Sequence, residues 1–198
     1  MYNQLPSFVI GFHGCDIDTK KRILETNTMT ASVNSYDWIG HGVYFWEQNK
    51  QRAEEFAIEA LKRPKITKGT IKEPAVIGAV IDLGNCLNLL DSEKIGRVED
   101  AYRVYIAVCK AAGREPEQNI GAKRNLDCSV IEMVHRITDL SKLKPYDTVR
   151  AMYIEGDPLY ENAGFYNKSH IQICVRNMNC IKAFFDPRDK NAIKGTAW

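Results

Sequence analysis

The chain has no C-x-x-C pair, no apolar run approaching the roughly 20 residues that cross a bilayer, and almost no net charge. Each absence removes a class of function. Six cysteines stand scattered at 15, 86, 109, 128, 174 and 180, which argues against a zinc ribbon or a dithiol redox centre and leaves them as reduced, small apolar core residues. The longest apolar stretches, such as Ala75 to Ile81, are too short for a transmembrane helix, so no membrane partner is expected. With 27 Lys plus Arg against 25 Asp plus Glu, the net charge is +2; no global field recruits polyanions, and any nucleic-acid binding must come from local patches. Met1 to Pro6 lacks the basic start and apolar run of a secretory signal, so a cytoplasmic location is expected.

What remains is globular. The 198 residues are 44% hydrophobic and 26% charged, which predicts one domain over 1–198 with its own core. Ser7 to Gly14 is an apolar run ending in glycine, a buried strand that places His13 at its end. A short helix is expected over Thr19 to Glu25 and a surface loop over Thr26 to Asp37. Trp38 to Trp46 combines two glycines with β-branched and aromatic residues: a turn feeding a strand, with Tyr44 and Trp46 on one face and Val43 and Phe45 on the other. Ala53, Phe56, Ala57, Ala60 and Leu61 recur at helical spacing between Asn49 and Arg63, and Pro64 ends that helix.

Pro74 to Leu83 is the most strand-like run. Helical spacing over Ser92 to Ala112 and Asp127 to Leu140 makes residues 92–141 a helical insertion. Strands follow over Thr148 to Gly156 and Ser169 to Val175, the second turning Gln172 the same way as His170. Strands at both ends with helices between give an α+β domain.

The order Phe12-His13-Gly14, then Gly40-His41-Gly42-Val43-Tyr44-Phe45, then a helix with Ala53 and Phe56, then a late strand through Gln172 resembles the ADP-ribosyltransferase superfamily of the histidine-tyrosine-glutamate type. That group contains diphtheria toxin and the poly(ADP-ribose) polymerases. The likeness is greatest to small bacterial members with Gln at the third position. It covers the two ends of the chain, about half of it, and leaves the insertion unmatched.

The resemblance implies two packed, mostly antiparallel sheets enclosing an NAD cleft, with NAD as co-substrate and no metal. It implies that His13 donates a hydrogen bond to the adenosine ribose, that the backbone of Gly14 pairs with the nicotinamide carboxamide, and that Tyr44 stacks on the nicotinamide ring. Gly42 and Phe56 complete the cofactor-binding set. Gln172 takes the catalytic position, where it can hold the ribose 2′-hydroxyl but carries no charge to stabilise an oxocarbenium-like state. Glu155 is the candidate base or charge partner, and Arg150 or Arg176 the candidate pyrophosphate ligand. The implied activity is mono-ADP-ribosylation of a macromolecule, protein or nucleic acid, by a toxin or defence effector. An NAD glycohydrolase, or a catalytically weak NAD- or ADP-ribose-binding module, is the alternative.

Plainer readings stand beside these. Tyr44, Phe45 and Trp46 are ordinary core material, Gln172 fits the exposed face of an edge strand, and Glu155 fits a solvated turn. His41 lines a cleft or serves its turn. His135 and His170 have no ligand-spaced partner, so no metal site is expected.

Overall fold

The computed structural model describes residues 8–67 and 70–187; the expectation drawn from Met1 to Pro6 concerns residues outside that range. The elements are β1 (Phe8–Asp16), α1 (Ile17–Thr26), β2 (Val43–Glu47), α2 (Lys50–Lys62), β3 (Pro74–Asp82), β4 (Cys86–Asn88), α3 (Ser92–Ala111), β5 (Asn119–Ile120), β6 (Lys123–Arg124), α4 (Asn125–Leu140), β7 (Thr148–Tyr153), β8 (His170–Val175) and β9 (Ile181–Phe185). Among the described residues no helix is long and apolar enough to cross a membrane.

The fold is α+β, built on a seven-stranded sheet in the order β4-β7-β8-β2-β1-β3-β9. All its pairings are antiparallel except β4 with β7. This corrects the expectation of two packed sheets: the hydrogen-bonded surface is continuous. Its halves meet at β1 and β2, which pair only at Gly11 with Glu47 and Phe12 with Trp46, whereas β1 and β3 pair along their whole lengths. Gly11 permits this close junction, since a Cβ there would lie 2.7 Å from both Ile81 Cδ1 and Phe45 Cβ. β1 also runs on past Gly14 to Asp16, so His13 lies inside a strand rather than at its end.

The helices begin where side chains satisfy free N–H groups. Asp16 accepts from Asp18 N–H ahead of α1, Asn49 from Arg52 N–H ahead of α2, and Asp91 from Glu93 N–H ahead of α3. Ala53, Ala57 and Ala60 let α2 sit close on the sheet. The insertion is a layer of the core: Ala101, Tyr105 and Cys109 of α3 and Val130, Ile131 and Val134 of α4 pack with Val149, Ala151 and Cys174 of the sheet. The opposite face buries Val43, Phe45, Ala79, Ile81, Ile173 and Val175. All six cysteines are free, five of them buried. Burial pushes the thiols of Cys15, Cys128 and Cys180 up to about 11.

Two predictions follow from packing. A Cβ at Gly14 would lie 2.1 Å from the Ala53 carbonyl oxygen of α2, so Gly14→Ala is expected to cost at least the 1–3 kcal/mol typical of overpacking, roughly, read as a lower urea midpoint. Burial, aided by Arg176, lowers the buried His135 to about 4. The unfolded chain then binds a proton that the native state refuses, so stability is full above roughly pH 6.5 and declines toward pH 4. Urea midpoints measured across that window should fall, and His135→Gln should flatten the fall.

Candidate functional site

Strand alternation assembles one sheet face from distant parts of the chain. Through their cross-strand pairs, Phe12 and Gly14 of β1, Tyr44 and Trp46 of β2, His170, Gln172 and Cys174 of β8, and Ala151 and Tyr153 of β7 share this face. Two helical layers cover different parts of it. α2 packs Ala53 and Phe56 on Phe12 and Trp46, while α3 and α4 pack on Ala151, Cys174 and Tyr44. Between these layers lie Gln172 and its aromatic neighbours.

The point where β1 and β2 part is defined by His13. Its Nδ1 lies 2.8 Å from the Tyr44 carbonyl oxygen, which can only accept, so the proton is on Nδ1. Burial lowers the pKa of the ring, leaving it neutral near pH 7 with Nε2 as an acceptor. That reverses the donor role implied by the resemblance. The Ile10 carbonyl accepts from Gln48 N–H at 2.8 Å; by alternation, the N–H and C=O of Ile10, Phe12 and Gly14 all face the β2 side. β2 pairs with β1 no further than Phe12, so the backbone of Gly14 is turned into the gap. Its missing Cβ serves the approach of α2, which covers Gly14 on the same face as Phe12 and Trp46.

Tyr44 is clamped. Its hydroxyl donates to the Gly40 carbonyl at 2.7 Å and accepts from Ile39 N–H at 3.2 Å, and burial raises its pKa. Gly42 exchanges both backbone hydrogen bonds with Ser32, and a Cβ on it would lie 2.5 Å from Cys174 Sγ; it fits the turn against β8 and offers no free backbone group. Phe56 is half-buried and lies against Trp46, ring centroids 5.1 Å apart.

Gln172 sits on an interior strand, paired with Trp46 on one side and Ala151 on the other. The edge-strand alternative is therefore excluded. Its Oε1 accepts from the Trp38 indole N–H at 2.6 Å, which fixes the amide orientation. Trp38 in turn contacts Tyr153, with ring centroids 4.7 Å apart. His170, two residues before Gln172, lies between Trp46 and Tyr153, at 5.9 and 5.7 Å. Its Nδ1 is 2.7 Å from the Lys168 carbonyl oxygen, burial lowers its pKa, and its Nε2 has no partner. Trp46 Nε1 and Arg52 Nε are likewise buried and unpartnered. Three orphaned polar atoms thus cluster around Trp46 and α2.

Glu155 follows β7 and meets Arg52 of α2 at 3.0 Å; its carboxylate is 3.8 Å from His170 Nδ1. Arg52 also binds Glu55 at 2.8 Å. A second ion pair, Lys168 with Glu59, fastens the end of the same loop to α2. Neither candidate pyrophosphate arginine is free. Arg150 grips Glu47 through two bonds at 2.5 and 2.9 Å and shares the other sheet face with Ile173. Arg176 binds Glu132 at 2.6 Å and the His41 carbonyl at 3.0 Å. His41 serves its turn, its N–H donating to Glu132 at 2.8 Å. Sequence reasoning missed Trp38, Trp46 and Arg52 as site residues; only Trp46 carried a signal, its two-residue offset from Tyr44.

No protein-family model, curated protein or solved structure matches the chain.

The Trp38–Gln172 bond is open to a double-mutant cycle. Trp38→Phe and Gln172→Ala are each expected to cost about 1 kcal/mol in chemical denaturation, and the double variant less than their sum, with a coupling of about 1 kcal/mol.

Proposed function

We propose that the chain is an NAD-dependent mono-ADP-ribosyltransferase, transferring ADP-ribose from NAD to a macromolecular acceptor, protein or nucleic acid, and releasing nicotinamide. The observation that carries this reading is the parting of β1 and β2 at His13, which leaves the Gly14 N–H and C=O unpaired toward β2, beside the strand whose Trp46 pairs with Gln172. An N–H and a C=O pointing the same way match a carboxamide, which needs one donor and one acceptor. In this reading Gly14 N–H donates to the carboxamide oxygen and Gly14 C=O accepts from its NH2. His13 Nε2 accepts from a ribose hydroxyl. The unpartnered Trp46 Nε1, a donor, and His170 Nε2, an acceptor, are complementary to a further hydroxyl, which can accept from one and donate to the other.

The reaction breaks the bond between nicotinamide and the ribose anomeric carbon; the bonding pair leaves with nicotinamide, and the acceptor's nucleophile forms the new bond and gives up its proton. Gln172 would hold the 2′-hydroxyl, with Trp38 fixing its orientation. It supplies no negative charge, so the rate is limited by oxocarbenium stabilisation and no polymer is expected. Glu155, committed to Arg52, acts in this reading as a charge partner that positions α2 and His170 rather than as a free base. Because Trp38 already occupies Gln172 Oε1, a module that binds NAD or ADP-ribose without turnover is the second reading.

Incubation with labelled NAD and a cell lysate tests both. Transfer predicts a labelled macromolecule and released nicotinamide; free ADP-ribose without acceptor would indicate a glycohydrolase, and calorimetric binding without nicotinamide release would select the binding module. Neither binding nor release would overturn the reading. Gln172→Glu is expected to raise turnover by up to about a hundredfold, the scale of one preorganised electrostatic contact.

A further inference from the structure

On the insertion side of Trp38 lies a cavity of about 440 Å³, open to solvent, with walls from Val98 and Tyr102 of α3, Leu126 and Ile131 of α4, and Trp38 itself. The volume falls within the range of small-molecule sites, roughly 300–1,000 Å³. The lining is predominantly apolar and includes two carboxylates, Glu99 and Asp127, and no cation. Asp127 is spent on Asn119 and Arg124, each at 2.8 Å. Glu99 accepts from Arg103 through Oε1, and its Oε2 has no hydrogen-bond partner among the described residues, which leaves one carboxylate oxygen of a lining residue to meet a positive charge. The wall Trp38 is also the donor to Gln172. An occupant pressing on that indole acts directly on the hydrogen bond that orients the candidate catalytic amide.

We infer that this cavity binds a small aromatic amine, its flat apolar body against Trp38 and Tyr102 and its ammonium at Glu99, and that occupancy is transmitted to Gln172 through Trp38. The binding half stands on the cavity alone; its consequence for turnover rests on the transferase reading above. The site would be an effector site built by the insertion, distinct from the strip where NAD is proposed to lie.

Tryptamine is a suitable probe, with indole-3-propionate as the same ring bearing the opposite charge, followed through the Trp38 indole N–H resonance of ¹⁵N-labelled full-length protein. Expected are a saturable shift with tryptamine, at least tenfold weaker binding of indole-3-propionate, and loss of the shift in Val98→Trp, which fills the cavity. Glu99→Gln, at an exposed position, should fold normally, keep ring binding and lose the preference for amine over acid. Absence of a saturable shift, an unchanged shift in Val98→Trp, or equal affinity for the two probes would overturn the site. If NAD turnover is present and tryptamine shifts Trp38 without changing that turnover, the coupling is overturned while the site stands. Absence of turnover in unliganded protein counts against the transferase reading only, because the resonance still reports binding.

Discussion

One imidazole proton governs the centre of this fold. β1 and β2 run as an antiparallel ladder as far as Phe12 and Trp46, and the next interaction across that junction comes from a side chain: His13 Nδ1–H to the Tyr44 carbonyl. That substitution satisfies the carbonyl while leaving Gly14 outside the ladder with β2. A continued ladder would have consumed both backbone groups of Gly14, and the sheet would have been closed where it is now parted. Burial disfavours the charged form, so the ring makes this bond as a neutral imidazole.

Around that seam, two fastenings hold the strip bearing Gln172. From one side the Trp38 indole fixes the amide; from the other, Arg52 with Glu155 and Lys168 with Glu59 tie the segment before β8 to α2. The Arg52–Glu155 pair is substantially desolvated at its arginine end, whose side chain is 6% exposed. Removing the carboxylate would therefore leave a buried charge short of a partner, a larger penalty than loss of a surface pair. Glu155 consequently matters to the architecture apart from any role in the proposed function.

Much of the architecture was legible in the sequence because period is a local signal. The apolar spacing of Ala53, Phe56, Ala57 and Ala60 and the alternation through Gln172 gave α2 and β8 their type and their faces. β4 and the hairpin strands β5 and β6 were invisible because three residues and two residues carry no period. The continuity of the sheet was also hidden, since it depends on two residue pairs between β1 and β2. His13, Gly14 and Gln172 were singled out from their order as candidates, but the proton position on His13 depends on a carbonyl 31 residues away. Trp38 gained its role from a partner 134 residues distant. Arg52 gave no signal in the sequence, and only tertiary packing reveals it as a buried cation with two carboxylates.

The treatment of sulfur has a practical corollary. Five of the six thiols are enclosed, and those of Cys15, Cys86, Cys128, Cys174 and Cys180 are held in the protonated form by their surroundings. Thiolate is the nucleophile, so enclosure and the raised pKa both slow alkylation of these thiols in the folded chain at neutral pH. A single cysteine introduced on the outer surface would then be a clean handle for a spectroscopic label, without first stripping the native sulfurs from the core.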